Sequence, residues 1–353
     1  MSISVRRGIH LASLRPDSPR VVGADTDNGV HEVTVADGHL SFSEKYPSFR
    51  VEDIVLHETL GSGASSTVVR ATYTKSGQSF ALKRIPFRES QSVLQQIIQE
   101  IYALRHLRHP NIVELQTAFY INGCINIMTN LVDGGSLSDY LKLTPQLQEP
   151  TIGKICWYIL QGLHYLRQQR FLHRDLKPSN VLISRTGQVL IADFGMSRHL
   201  NASVEKAESF LGTMCYMSPE RLKNESYGFE SDIWSLGLIL YECALGRFPL
   251  TGNPLKFDYW DLISEFEKSL NVKLPPQYSP ALTKFITKCL QVDPDERASV
   301  DELLADPWIQ QFSEGKHEQA LTTWLSVVEK KKIERDASLR SVSLKDLGIK
   351  RKE

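Results

Sequence analysis

The sequence has few cysteines and no long apolar run. Its cysteines are odd in number and far apart, and no spacing among them is typical of a zinc site. This pattern favours reduced thiols in a cytoplasmic protein over a disulfide framework. No stretch approaches the roughly 18 apolar residues that predict a membrane-spanning helix, so we expect no membrane span. The five cysteines are Cys124, Cys156, Cys215, Cys243 and Cys289.

An excess of positive charge is also missing. The chain has 41 Lys and Arg residues and 41 Asp and Glu residues, so its formal net charge is zero. Nucleic-acid-binding domains usually carry a basic excess or a basic stripe, and we therefore expect no nucleic-acid partner. The length of 353 residues fits one large two-lobed domain, or two small domains, with room for tails.

The pattern of apolar residues changes along the chain. Residues 1–50 show no sustained periodicity and are predicted to form a mostly flexible tail. Strands dominate up to Gly134-Gly135 and helices after it, which predicts an α+β fold of two packed lobes with a cleft between them. The predicted strands are 54–57, 66–73, 79–85, 113–120 and 125–130, and the predicted helices are 92–107, 151–168, 231–245 and 280–289.

Two segments of the strand-rich part predict phosphate contacts. The run 60–68, Leu-Gly-Ser-Gly-Ala-Ser-Ser-Thr-Val, lies between two predicted strands, and its glycines let the backbone close over phosphates. A plain Gly/Ser turn is the alternative interpretation. Lys83 lies in an apolar strand, where its charge needs an anionic partner or ligand. Glu100 is the expected partner, and a Lys83 side chain that reaches solvent is the alternative.

The run 173–180, His-Arg-Asp-Leu-Lys-Pro-Ser-Asn, predicts phosphoryl transfer. Asp175 can accept the proton of an incoming hydroxyl, and Lys177 can neutralise the transferring phosphoryl group. Asn180, together with Asp193 of a later Asp-Phe-Gly, can bind Mg²⁺ at the ATP phosphates. The order and spacing of all these segments make chance negligible. The segments that follow are Ser218-Pro-Glu220, Asp232-Ile-Trp-Ser-Leu-Gly237 and Arg297.

With these motifs, the chain resembles the eukaryotic protein kinases over residues 51–312. The resemblance implies an N-lobe at 51–132, a C-lobe at 133–312, and ATP and Mg²⁺ as cofactors. It also implies that Glu220 pairs with Arg297, and that Leu104, His173 and Phe194 stack in a hydrophobic spine. Lys177 and Thr213 match the Ser/Thr type.

The same resemblance implies an ATP site. Val68, Ala81 and Leu182 would sandwich the adenine. Thr129 aligns as the gatekeeper, followed by the hinge 130–132. The implied ATP-binding residues are Leu60, Gly61, Ser62, Gly63, Ala64, Ser65, Ser66, Val68, Ala81, Lys83, Glu100, Thr129, Asn130, Leu131, Val132 and Leu182.

Longer runs resemble the MAP kinase kinases. The strongest is 216–221, Tyr-Met-Ser-Pro-Glu-Arg, since most kinases have Ala where Ser218 stands. The resemblance implies dual-specificity transfer to Thr and Tyr in the activation loop of a MAP kinase, with an upstream MAP kinase kinase kinase as activator. The alternatives are another Ste-group Ser/Thr kinase and a pseudokinase scaffold, although no catalytic position is missing. The other runs are 194–198, 209–221, 133–137 and 244–249.

The activation segment departs from the animal members of that family. Ser209 occupies the second phosphorylatable position, but Glu205 occupies the first. Ser203 and Ser209 are separated by five residues, which is the spacing of the plant-type branch of the family. We therefore expect phosphorylation of Ser203 and Ser209. Each phosphate adds about −1.5 to −2 charges, and Arg174 is the first candidate to pair with them. Ordinary loop serines are the alternative.

The N-terminal tail carries a short basic and apolar pattern. Arg6 and Arg7 are followed by Ile9 and Leu11 at alternate positions. MAP kinase kinases use such motifs to dock onto MAP kinases, and we expect that role here. The lack of acidic residues before Asp17 also resembles a mitochondrial transit peptide, which is the rival interpretation.

A helical and basic extension is predicted at residues 313–353. Over 316–334 the apolar residues recur at helical spacing. We expect this helix to pack on the helical lobe, and a docking site for the upstream kinase is the alternative. The predicted apolar face consists of Leu321, Trp324, Leu325 and Val328.

Overall fold

The computed structural model divides the chain into two compact units. The strand-rich unit comprises residues 1–108, 113–131 and 196–206, and the helical unit comprises 109–112, 132–195 and 207–353. The predicted helix 92–107 lies largely outside the residues that the structure describes. The described residues are 20–22, 33–36, 39–41, 51–63, 66–86, 101, 105–121, 123–193, 214–250, 259–268 and 270–346.

The core of the strand-rich unit is a five-stranded antiparallel sheet with the strand order β4-β5-β6-β8-β7. All five strands predicted from the sequence are present, with boundaries that differ by a few residues. Their β-branched and aromatic residues suit a pleated, half-buried surface. The strands are β4 (Ile54–Ser62), β5 (Thr67–Tyr73), β6 (Gln78–Pro86), β7 (Leu115–Ile121) and β8 (Cys124–Asn130).

Alternation along β6 decides which side chains reach the core of this unit. Phe80 and Leu82 are fully buried in one cluster with Met128 of β8. Because successive side chains of a strand point to opposite faces, Ala81 and Lys83 lie on the other face. The apolar period of two therefore places Lys83 away from the main cluster of the sheet.

Three short strands precede this sheet, in a region where the sequence predicted no regular structure. They are β1 (Arg20–Val22), β2 (Val33–Ala36) and β3 (His39–Ser41). They pair antiparallel in that order as a separate sheet. Short strands of three or four residues carry too little alternation to be recognised in a polar segment.

The helical unit contains a small three-stranded sheet in the order β11-β10-β9. Its strands are β9 (Gly135–Ser136), β10 (Val181–Ile183) and β11 (Val189–Ile191). The helices in the described residues are α1 (Leu137–Leu143), α2 (Glu149–Gln168), α3 (Pro219–Leu222), α4 (Glu230–Leu245), α5 (Tyr259–Glu267), α6 (Pro280–Cys289), α7 (Val300–Leu304), α8 (Pro307–Gln310) and α9 (Gln319–Asp346).

Helix α4 forms the centre of the helical unit. It is buried on nearly all sides, as its continuous apolar sequence predicts. Trp234 is fully buried and contacts the Phe266 ring edge-on. The helix ends at Gly246, whose φ of 74° is the left-handed conformation that glycine adopts most readily. Because α4 is buried along its length, the polar residues of its first turn, Ser231 and Asp232, are held in fixed positions.

The C-terminal helix α9 packs on α2 and α1, as the sequence predicted. The four residues of its predicted apolar face, Leu321, Trp324, Leu325 and Val328, are all buried. The helix has 28 residues, but neither it nor another helix in the described part of the chain is apolar over enough length to cross a bilayer.

Candidate active site

In the strand-rich unit, the glycine-rich turn joins β4 to β5. The N–H of Gly63 donates to the carbonyl of Ser66 at 2.8 Å and closes the turn. A Cβ added at Gly61 would meet no described atom within 4 Å. Packing against the described residues therefore does not require glycine there, and contact of this turn with phosphate stays a prediction. Ala64 and Ser65 lie outside the described residues.

Strand register brings four predicted ATP-binding residues to one face of the sheet. Val68 pairs with Lys83 across β5 and β6, and Ala81 pairs with Thr129 across β6 and β8. Directly paired residues share a face, and all four are partly buried. Glu100 lies outside the described residues, so its pairing with Lys83 stays a prediction.

The predicted hinge follows β8. The side chain of Asn130 is held by its neighbours, accepting from Gln116 Nε2 at 2.7 Å and donating to Glu114 at 3.3 Å. The main-chain N–H of Asn130 also donates to the Glu114 carbonyl at 3.1 Å, and the contact of the hinge with a nucleotide base stays a prediction. Leu131 and Val132 are partly buried, and the chain passes from one unit to the other between them.

In the helical unit, three of the four residues predicted for catalysis and metal binding contact one another. Lys177 Nζ is 3.0 Å from Asp175 Oδ1 and 2.9 Å from Oδ2. The side-chain amide of Asn180 donates to the Asp175 carbonyl at 2.8 Å and to its carboxylate at 3.0 Å. Asp175 is thus a partly buried carboxylate, held by one cation and one amide and set up to accept a further proton donor.

Asp232 fixes the main chain of this loop. Its carboxylate accepts from the N–H of His173 at 2.8 Å and from the N–H of Arg174 at 2.9 Å. Arg174 has a φ of 68°, which is unusual for a residue with a side chain. Arg221 also donates to the Arg174 carbonyl, at 2.6 Å. The surrounding contacts therefore hold a strained conformation in place.

Asp232 belongs to the motif Asp232-Ile-Trp-Ser-Leu-Gly237, whose sequence alone predicted no role for this carboxylate. One sequence signal could have indicated a structural role for Asp232. An acidic residue in the first turn of a buried apolar helix needs hydrogen-bond donors for its carboxylate. The structure shows that the donors come from the loop that carries Asp175.

His173 is buried in its neutral form. Its Nδ1 accepts from the N–H of Asp175 at 3.2 Å, and its Nε2 lies 3.0 Å from the carbonyl of Ala192. This arrangement requires the proton on Nε2. Burial lowers the pKa of His173, although nearby Asp232 and Asp175 oppose the effect. His173 thus links the loop that carries Asp175 to the segment that ends in Asp193. Its predicted spine partners Leu104 and Phe194 lie outside the described residues.

Asn180 and Asp193 lie at the same end of the β10–β11 hairpin. Val181 pairs with Ile191, and the N–H of Ala192 donates to the Asn180 carbonyl at 2.8 Å. Carboxylate and amide oxygens are the hard ligands that Mg²⁺ prefers, and Mg²⁺ usually completes its shell with water and phosphate oxygens. The donor set fits such an ion. The described residues contain no cluster of three or more His, Cys, Asp or Glu that could hold a metal by themselves.

The expected pair of Glu220 and Arg297 is present. Two hydrogen bonds of 2.8 and 3.0 Å join their side chains, which are almost fully buried. Burial alone would raise the pKa of Glu220, but the hydrogen bonds and charge of Arg297 outweigh burial, and the pKa is lowered. Arg297 also covers the Trp234 ring at 5.2 Å. This pair links α3 to α4 and the α6–α7 connection.

A cavity of about 460 Å³ lies beside Lys177 in the helical unit. Its lining includes Ser179 from the catalytic loop and Tyr216 from the segment before α3. The Tyr216 hydroxyl donates to the carboxylate of Glu242, and burial raises the pKa of that carboxyl. The cavity is therefore a polar recess next to the predicted catalytic residues.

The structure does not describe the predicted regulatory residues. The activation-segment serines and the N-terminal docking residues lie outside the described residues, and their roles stay predictions. They are Ser203, Ser209, Arg6, Arg7, Ile9 and Leu11.

Comparison with known proteins identifies the class. The protein kinase domain matches residues 54–309. This match covers most of the chain and includes every described residue of the candidate site. The chain therefore belongs to the protein kinase family, whose phosphoryl donor is ATP.

Within that family, the chain is similar to several MAP kinase kinases. Mitogen-activated protein kinase kinase 1c of Physcomitrium patens is 39% identical over 76% of this chain and 79% of its own length. Mitogen-activated protein kinase kinase 2 of Arabidopsis thaliana is 36% identical over 84% and 80%. The dual specificity mitogen-activated protein kinase kinase dSOR1 of Drosophila melanogaster is 36% identical over 76% and 74%. The chain is a member of the MAP kinase kinase group.

Proposed function

We propose that this protein is a dual-specificity MAP kinase kinase that transfers the γ-phosphoryl group of ATP to Thr and Tyr in the activation loop of a MAP kinase. The observation that carries the proposal is the Asp175 carboxylate, held by Lys177 and Asn180 on a loop fixed by Asp232. The names of the similar proteins support the substrate class.

Asp175 acts as the base in this proposal. It accepts the proton of the substrate hydroxyl as the oxygen bonds to phosphorus and the bond to the β-phosphate oxygen breaks. Lys177, already 2.9 Å from the carboxylate, stabilises the negative charge of the transferring group. The polar cavity beside Lys177 leaves room for residues that flank the acceptor.

ATP and Mg²⁺ binding is assigned to the remaining site residues. Lys83 and the glycine-rich turn contact the phosphates, and Asn180 and Asp193 hold Mg²⁺. When bound, the ion neutralises phosphate charge. Adenine contacts come from the Val68, Ala81 and Leu182 side chains, the hinge 130–132 lies at the adenine edge, and Thr129 lies beside the adenine as gatekeeper.

Phosphorylation of Ser203 and Ser209 by an upstream MAP kinase kinase kinase is the proposed activating event. The plant-type spacing of these serines supports it, and so do the plant relatives. Each phosphate carries up to about two charges and three acceptor oxygens, and Arg174 is the first candidate cation to pair with them. Alanine at either serine should lower kcat strongly, and phosphate found only at Ser197 or Thr213 would contradict the assignment.

We place recruitment of the MAP kinase in the tail and the enzyme in the cytoplasm. Arg6 and Arg7 would contact an acidic patch, and Ile9 and Leu11 an apolar groove. Changing these four residues to alanine should raise the KM for the whole MAP kinase and leave activity toward a generic peptide unchanged. Mitochondrial import of the full chain would instead favour the transit peptide.

The experiment for the substrate class is a panel assay. Purified enzyme, phosphorylated at Ser203 and Ser209, is incubated with ATP, Mg²⁺ and individual MAP kinases, and the activity that each MAP kinase gains is measured. We expect strong activation of one or a few members. Phosphorylation of Ser/Thr kinases of other classes, with no MAP kinase activated, would favour another Ste-group kinase.

A further inference from the structure

The buried tryptophan of α9 contacts the last turn of α1. The indole N–H of Trp324 donates to the Thr144 hydroxyl at 3.0 Å, and its ring lies 5.3 Å from the Tyr140 ring. The Thr144 hydroxyl in turn donates to the Tyr140 carbonyl at 3.2 Å. Lys331, two turns further along α9, donates to the Leu143 carbonyl at 3.2 Å. The C-terminal helix thus fixes the end of α1 through both side chains and main chain.

Helix α1 contacts β10 in the same place. The Tyr140 hydroxyl lies 3.4 Å from the carbonyl of Ile183 and donates to it. A Cβ at Gly134 would lie 1.9 Å from that carbonyl oxygen and 2.5 Å from the Tyr140 hydroxyl. The backbone of Gly134 therefore packs directly on both groups, and a shift of Tyr140 must displace β10 or the β9 segment.

Strand β10 carries a proposed nucleotide contact. Leu182 pairs with Ser136 and Ile183 with Gly135, so β9 and β10 move together. Helix α9 also packs on the turn after β10, because a Cβ at Gly187 would lie 3.5 Å from Leu321 Cβ. The hairpin is therefore in contact with α9 both directly and through Tyr140.

We propose that Trp324 is a positioning residue for ATP: by fixing Tyr140 it sets the position of β10, and with it the adenine contact of Leu182. The inference rests on the proposed nucleotide-binding role of Leu182. The Asp175 loop is fixed separately by Asp232 of α4. A change at Trp324 should therefore act on the KM for ATP more than on kcat.

A matched pair of substitutions separates the ring from its hydrogen bond. Trp324→Ala removes both, and we expect it to raise the KM for ATP and the dissociation constant of ADP about three- to tenfold. Trp324→Phe keeps an aromatic ring against Tyr140 and should restore most of the affinity. Thr144→Val removes the same hydrogen bond from the other side, together with the bond that Thr144 donates to the Tyr140 carbonyl. Adding Trp324→Phe to Thr144→Val should therefore change little beyond Thr144→Val alone.

Glu318→Gln is the control for a purely structural role. Glu318 accepts from the fully buried Lys154 at 2.7 Å and from the N–H of Gly315 at 3.0 Å, which fastens the start of α9 to α2. This variant should lower the melting temperature as a loss of attachment does, yet leave the KM for ATP unchanged. It tests attachment of α9 without touching Tyr140 or Thr144.

The experiment is steady-state kinetics and ADP titration on the full chain, with melting temperatures for every variant. A rise in ATP KM in Trp324→Ala that Trp324→Phe largely reverses, and that Glu318→Gln does not share, supports the proposal. Trp324→Ala protein that loses stability but keeps the wild-type KM for ATP overturns it. If Trp324→Ala does not fold, Thr144→Val takes its place: a smaller rise in ATP KM supports the proposal, and a wild-type KM overturns it. Wild-type protein that binds no nucleotide would refute the proposed function itself, a different result.

Discussion

The strand-rich and helical units place their functional residues by different means. In the sheet, regular pairing puts Lys83 opposite Val68 and Ala81 opposite Thr129. In the helical unit, the Asp175 loop is held by the Asp232 carboxylate, which lies 59 residues beyond His173 in the sequence. Strand register is shared among many main-chain bonds, whereas the loop depends on a few buried side chains. Single substitutions should therefore cost more in the helical unit.

The largest expected effect is that of Asp175→Asn. The amide cannot accept the substrate proton, so kcat should fall by about 100-fold or more. ATP affinity should stay close to that of the wild type, because we assign nucleotide binding to other residues. Asp193→Ala should instead weaken Mg²⁺-dependent ATP binding. Wild-type turnover of Asp175→Asn on a protein substrate would show that the base is misassigned.

Next in size is Asp232→Asn. An amide can accept only one of the two N–H bonds from His173 and Arg174, and its own N–H group would face the other donor. We expect a loss of about 1–3 kcal/mol in the free energy of unfolding, and a fall in kcat of about tenfold to 100-fold as the loop shifts. Both are measured by urea unfolding and steady-state kinetics.

Ser235→Ala is the control for that change. Ser235 lies on the same helix and donates to the Tyr216 carbonyl at 2.8 Å, so its loss also removes a buried hydrogen bond. It should lower stability without the same loss of kcat. Equal losses of kcat in the two variants would mean that Asp232 acts only through overall stability.

A smaller effect on turnover is expected for Glu220→Gln, with a clear effect on stability. Removing one charge of a buried pair typically costs about 3–5 kcal/mol. The pKa of Glu220 in the folded protein lies below its ordinary value of 4.5, so the stabilisation is fully present above pH 4.5 and is lost as the pH falls through the lowered pKa.

Melting temperatures between pH 7 and pH 4 test this pH dependence. The wild type should lose part of its stability toward the acidic end, and Glu220→Gln should lack that component because glutamine does not titrate. Parallel melting curves for the two proteins would contradict the assignment of this stabilisation to Glu220 and Arg297.

The smallest effect is expected in the sheet, for Thr129→Met. The regular pairing of Thr129 with Ala81 and Leu115 should tolerate a longer side chain, so we predict nearly unchanged ATP affinity. Inhibitors that extend past the hinge should bind more weakly, because the new side chain fills the space behind the adenine. Equal inhibitor affinities for the two proteins would refute the gatekeeper alignment.

The sequence predicted a strand-rich part, a helix-rich part and most of the longer elements of each, because the apolar periods of those elements are strong. The pattern over 280–289 matches the bounds of α6, and all four residues of the apolar face predicted within 316–334 are buried. The three short strands between Arg20 and Ser41 were missed. Each is too short to show alternation.

The sequence predicted which residues form the candidate site, but it predicted less well the contacts that hold them in place. The motif 173–180 named Asp175, Lys177 and Asn180, which the structure places within hydrogen-bond distance. Local sequence could not show that Asp232 supports this loop, or that Trp324 reaches Tyr140 across 184 positions. Those contacts depend on how distant helices pack, and no single segment encodes them.

Phosphosite mapping on a catalytically inactive MAP kinase tests the central claim most directly. The inactive substrate cannot phosphorylate itself, so every phosphate comes from the added enzyme. Enzyme phosphorylated at Ser203 and Ser209 should place one phosphate on Thr and one on Tyr of the activation loop, and the same preparation of Asp175→Asn should place none. Phosphate on serine or threonine alone, or outside the activation loop, would contradict a dual-specificity MAP kinase kinase.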